Sequence, residues 1–103
     1  MDRKTHLIHL LPDCAAREDE RDDAAIELAD FSDGDVIQAL FLVATDKSCP
    51  SDMVKGSGGE SLASIWIRTG KVDMTLLHQL DGSARQEAMG LIKALRPQWL
   101  VRD

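Results

Sequence analysis

His6 and His9 stand three residues apart, with Asp13 and Cys14 just beyond them. On a helix such a pair shares a face and can begin a metal site. Pro12 works against that arrangement, because a proline disfavours helical backbone at the residue before it, here Leu11. The two histidines are therefore expected to be partly exposed side chains with no metal. Cys14 and Cys49 form no CxxC pair and no zinc-ligand spacing, so two reduced thiols are expected. A disulfide between them would stabilise the fold, but it needs an oxidising compartment.

Other candidate chemistry fails on spacing. Lys55-Gly-Ser-Gly-Gly-Glu-Ser61 leads toward an expected helix start, a place that can hold phosphate. It matches neither GxxxxGK[ST] nor GxGxxG, no β-branched strand precedes it, and Glu60 would repel the anion. The acidic run Asp19 to Asp30 has Ala24 where a calcium loop needs glycine. His6, His9 and His78 are the available bases, yet no serine lies in a GxSxG elbow and neither cysteine lies in a nucleophile motif. No enzyme activity and no cofactor are expected.

Charge carries more information. The 103-residue chain has a net charge of −6, unevenly spread. Residues 13–35 hold ten acids against Arg17 and Arg21, a local charge of −8, while residues 47–103 are +2. Such a field repels nucleic acid at one end and attracts basic protein surfaces there. Glu18, Asp19, Glu20, Asp22 and Asp23 are the candidate docking residues. Trp99 and Leu100 are the candidate apolar anchors, because aromatic side chains near a free chain end either pack back or meet a partner. A helix-turn-helix over 62–80 is the rival reading, as a DNA-binding or DNA-mimicking regulator. Its second helix, Asp73 to Leu80, offers no Arg or Lys to a groove, so nucleic acid is not expected as the partner.

The elements that must position these residues read mainly as helices. Ser57-Gly-Gly-Glu60 fits a capping box, followed by Leu62, Ile65, Trp66 and Thr69 at helical spacing and by Gly70 as a stop. Asp73 can cap a short helix carrying Met74, Leu77 and Leu80. Ser83-Ala-Arg-Gln86 fits a second capping box, whose helix puts Ala84, Ala88, Leu91, Ile92 and Leu95 on one face before Pro97. A helix over about 35–46, with Val36, Ile37, Leu40, Phe41, Val43 and Ala44, is expected to be central. Residues 24–30 are helix-prone, 17–23 are polar all round with nothing to bury, and His6 to Leu11 fits strand or helix.

The expected architecture is a single mainly-α domain spanning 1–103. It is a bundle of about four to five helices, with a flexible loop near 48–59. The alternative is α+β, with a hairpin near 65–75 built from the alternation of Ile65, Ile67, Thr69, Val72 and Met74. Apolar residues make up 44% of the chain, which argues against disorder. The longest apolar run, Ala39 to Ala44, is far below the roughly 20 residues of a membrane span. The N-terminus makes a poor signal peptide, which leaves the cytoplasm as the expected compartment. The expected function is a small acidic regulatory protein that binds, and inhibits or sequesters, a partner with a basic surface, such as a transcription regulator or toxin. A homodimer is expected from the apolar 36–44 face, the 98–101 tail, and the close approach that Gly90 and Ala94 allow.

Overall fold

The computed structural model describes residues 2–48 and 51–100. Among them are six α-helices and two 3-10 turns, and no strand. Helix α1 is Arg3–Leu10, α2 is Glu18–Glu27, α3 is Gly34–Ala44, α4 is Asp52–Thr69, α5 is Met74–Gln79 and α6 is Gly82–Leu95. The 3-10 turns are Leu28–Asp30 and Pro97–Leu100. The protein is a small all-helical bundle, and the hairpin alternative at 65–75 is set aside. Residues 65–69 are the last turn of α4, which Gly70 ends in the left-handed region at φ 73°. There the backbone N–H groups of Gly70 and Lys71 both donate to the Trp66 carbonyl, at 2.8 and 3.1 Å.

Helix α4 is the central element, in place of the helix expected over about 35–46. It packs against α2, α3, α6 and the 3-10 turn at 28–30. It is also longer than the sequence suggested, which corrects the loop expected near 48–59. Ser51 is the N-cap, its Oγ accepting from the Val54 N–H at 3.2 Å, and Ser57 lies inside the helix. Three glycines and a proline in the twelve residues 48–59 suggested a loop, since each glycine costs a helix about 1 kcal/mol relative to alanine. Packing explains their presence. A Cβ on Gly59 would stand 2.7 Å from the Ala84 backbone carbon and Cα, and one on Gly58 3.2 Å from Val43 Cγ1. The glycines thus let α6 and α3 approach α4 closely.

Two other expectations are corrected. The capping box at Ser83 does not form: α6 begins two residues earlier, after Asp81, with no side-chain cap bond. Leu11 is helical despite Pro12, at φ −54° and ψ −48°, and its N–H continues the α1 ladder to the Leu7 carbonyl at 3.0 Å. Leu11 is fully buried, and that burial offsets the local cost imposed by the proline.

One hydrophobic cluster runs through the bundle. Trp66, Leu62, Ile65 and Val54 come from α4, Leu40 and Val36 from α3, Ala84, Ala88 and Ile92 from α6, and Leu7 and Leu11 from the α1 end. Trp66 is a core residue, as its helical spacing implied.

Candidate protein-docking face

Helix α2 poses a physical problem: six of its ten residues are acidic or basic in a row, and a helix needs a face to bury. The solution is a polar seam against α4. Ser51 Oγ donates to the Glu18 carboxylate, and Ser57 Oγ donates to Asp22 Oδ1 at 2.5 Å. Ser61 Oγ donates to the Ala25 carbonyl at 2.7 Å. Arg68 closes the series by donating to the carbonyls of Ala29, at 2.5 Å, and Phe31, at 2.9 Å. The acceptors at 18, 22 and 25 follow helical spacing along one face of α2, and Ala29 continues the series in the 3-10 turn. Their partners ascend together along α4, so the two helices run the same way along the seam.

Arg21 also turns inward. It is 5% exposed, and its Nε donates to the Leu11 carbonyl at 2.9 Å, tying α2 to the end of α1. The expectation that residues 17–23 have nothing to bury is therefore corrected. A buried guanidinium is tolerated only because it is hydrogen-bonded.

The five acids singled out from the sequence divide by what they bond. Glu18, itself exposed, and the half-buried Asp22 accept from α4 serines, whereas Asp19, Glu20 and Asp23 form the exposed outer side. The outward face continues with Ile26, which is 54% exposed, and with Glu27 and Asp30. By helical spacing Ile26 neighbours Asp22 and Asp23 one turn before it and Asp30 one turn after. Sequence reasoning missed this isoleucine, because an apolar residue in a helix-prone stretch reads as core.

Nearby cations offset part of the charge. Arg17 pairs with Asp19 at 3.1 Å and Glu20 at 3.6 Å, and Arg3 with Asp30 at 3.5 Å and Glu27 at 3.6 Å. Lys4 bridges Asp33 at 2.8 Å and Asp35 at 3.3 Å, and hydrogen bonds to those two carboxylates raise its pKa above the ordinary 10.5. These pairs are exposed to solvent and add little to stability. Asp23 makes no ion pair among the described residues.

Trp99 and Leu100 are half-buried in the turn that follows α6, and both pack on the hydrophobic cluster. They belong to the α6 side of the bundle, while the acids lie on α2. His6, His9 and His78 are exposed, and no group of three His, Cys, Asp or Glu side chains among the described residues is placed to hold a metal ion. Cys14 is disulfide-bonded, which corrects the expectation of a reduced thiol there; Cys49 lies outside the described residues. No described helix is long and apolar enough to cross a membrane.

The described residues also form concave surfaces. An open groove of about 750 Å³ is lined by Arg85, Met89, Gly90 and Lys93 of α6, with Asp52 of α4. A smaller apolar depression of about 300 Å³ lies between Ile8, Pro12, Ala39 and Leu42, and Leu42 is 57% exposed. The chain matches no protein-family model, no characterised protein and no solved structure.

Proposed function

We propose that the protein is a small regulatory binding protein whose outward α2 face docks a partner with a basic surface, inhibiting or sequestering it. One observation carries the reading: Ile26, an exposed apolar side chain, sits on a helix face between the exposed carboxylates Asp19, Glu20, Asp23, Glu27 and Asp30. An apolar centre with a charged rim is the composition of a protein interface. Its complement is an apolar pocket bordered by Lys and Arg. The rim sets the rate of encounter, and Ile26 supplies the contact that persists. Trp99 and Leu100 are proposed as a secondary contact on the α6 side.

The cytoplasm, expected from the N-terminal composition, sits poorly with a disulfide at Cys14, because such bonds persist where the surroundings are oxidising. Alkylation of Cys14, described below, decides between the two.

The two faces of α2 provide the test. A photo-crosslinking residue at position 26 captures the partner, and association rates are then measured against ionic strength. Asp19→Asn, Glu20→Gln and Asp23→Asn together should slow association at low salt and leave the thermal midpoint in place. Glu18→Gln with Asp22→Asn should lower the midpoint instead. Equal on-rates for the wild type and the outward triple variant at low ionic strength would reduce the face to a solvated surface.

A further inference from the structure

We propose that the α6 groove receives the α2 face of a second copy of this chain, so that the protein associates head to tail. The inference rests on the reading of α2 as a docking face, and names a second copy as an occupant for it.

Charge complementarity is the first ground. Arg85 and Lys93 are exposed on the groove's rim, and neither forms an ion pair among the described residues. Asp52 contributes a single opposing carboxylate at the α4 end of the groove. The α2 face presents five exposed carboxylates, which meet only Arg3 and Arg17. The groove therefore carries a small positive excess and the α2 face a larger negative one, so the two surfaces attract.

Spacing is the second ground. Arg85 and Lys93 lie one turn either side of Met89, about 12 Å apart along the helix axis. Asp23 and Asp30 lie about one turn either side of Ile26, about 10–12 Å apart. When Ile26 is set beside Met89, the two acids therefore reach the two bases. Gly90 provides the room, since a Cβ there would have nothing within 4 Å. The absent side chain lets another helix approach α6 closely beside Met89.

Both faces are exposed on one copy, Asp23, Ile26 and Asp30 on one and Arg85 and Lys93 on the other. The contact is heterologous, so copies add in a closed ring or an open row according to the rotation between them.

Sedimentation equilibrium of the intact chain over a micromolar to millimolar range tests this. At low salt the weight-average mass of wild type should climb above the 11.3 kDa of the monomer, and 0.5 M NaCl should return it toward that value. Arg85→Glu with Lys93→Glu should weaken association more than tenfold, as should Asp23→Lys with Asp30→Lys. Mixing the two variants at equal concentration should restore it, because the unaltered α6 groove of one meets the unaltered α2 face of the other. Gly90→Leu puts a bulky side chain into open space on this face and should block association while the far-UV circular dichroism stays unchanged. A wild-type mass fixed at 11.3 kDa at every concentration, association that survives both Gly90→Leu and α6 charge reversal, or two variants that fail to rescue each other would each overturn the proposal. Failure here leaves the α2 reading distinguishable, since its own test changes no residue of α6.

Discussion

The glycines of α4 and α6 form a graded series from which stability changes can be worked out before measurement. Replacing a helical glycine by alanine gains about 1 kcal/mol from backbone propensity alone. Space decides what is subtracted. At Gly90 a Cβ meets nothing within 4 Å, so Gly90→Ala should keep most of that gain. At Gly56 the nearest atom is Glu87 Cγ at 3.4 Å, an ordinary contact with a side chain that can move, and a smaller gain should remain. At Gly58 the added carbon lies 3.2 Å from Val43 Cγ1 and 3.4 Å from the Leu40 carbonyl, and gain and crowding should roughly cancel. Gly59 stands apart, because its Cβ would be 2.7 Å from the Ala84 carbonyl carbon and Cα and closer still to the oxygen. Backbone cannot rotate away as a side chain does, so α6 must shift off α4. Overpacking of this kind costs about 1–3 kcal/mol, enough to erase the propensity gain and leave a net loss. For a domain of this size each kcal/mol moves the thermal midpoint by about 4–8 °C. Thermal unfolding followed at 222 nm should therefore rank the variants Gly90→Ala, Gly56→Ala, Gly58→Ala, Gly59→Ala from most to least stable. A Gly59→Ala protein as stable as Gly90→Ala would refute the close contact between α4 and α6.

Other consequences are read with simpler assays. Ser57→Ala leaves the half-buried Asp22 carboxylate without its α4 partner and should cost about 1–2 kcal/mol in urea unfolding, whereas Asp23→Asn on the outer face should change stability by less than about 0.5 kcal/mol. Alkylation of the denatured, unreduced protein should leave Cys14 unmodified by mass spectrometry, and prior reduction should make it reactive; a modified Cys14 before reduction would return the cytoplasmic expectation. The Thr5 backbone N–H donates to the Asp2 carboxylate at 2.8 Å and holds its pKa below the ordinary 3.8. The support Asp2 lends α1 should thus be complete above about pH 4 and disappear as pH falls through that lowered value. Hydrogen exchange at Thr5 and His6 against pH should show it. Gly70→Ala should destabilise by about 1 kcal/mol, because alanine at φ 73° is strained.

Much of the fold was legible where apolar period and punctuation agree. The end of α4 at Gly70, the Asp73 cap of α5 with its side chain accepting from the Leu76 N–H at 3.1 Å, and the Ala84, Ala88 and Ile92 face of α6 all follow from spacing. So does the buried face of α3, Val36, Leu40, Val43 and Ala44. The reading failed where a residue has one meaning locally and another in packing. Gly56, Gly58 and Gly59 break helices in isolation, yet they are the positions at which α4 meets its neighbours. Pro12 disfavours helix at Leu11 by about the kind of cost that full burial of a leucine outweighs. Ser57 and Ser83 both satisfy the capping pattern, but a cap requires the chain to arrive from outside the helix, and at 57 it arrives from within.

The acidic helix shows why a candidate site is harder to read than a core. Apolar residues announce which face is buried, because water excludes them. A run such as Glu18-Asp-Glu-Arg-Asp-Asp23 carries no such mark: every residue is soluble, and the inner face is chosen by what α4 offers across the gap. Serines at 51, 57 and 61 and the guanidinium at 68 are that offer, placed 33 to 39 residues away in sequence. Glu18 and Asp22 bond the serines, while Asp19, Asp23, Ile26, Glu27 and Asp30 are exposed to solvent. The docking face proposed for this protein is the reverse side of the contact that folds it, so variants on the two sides of α2 should separate binding from stability.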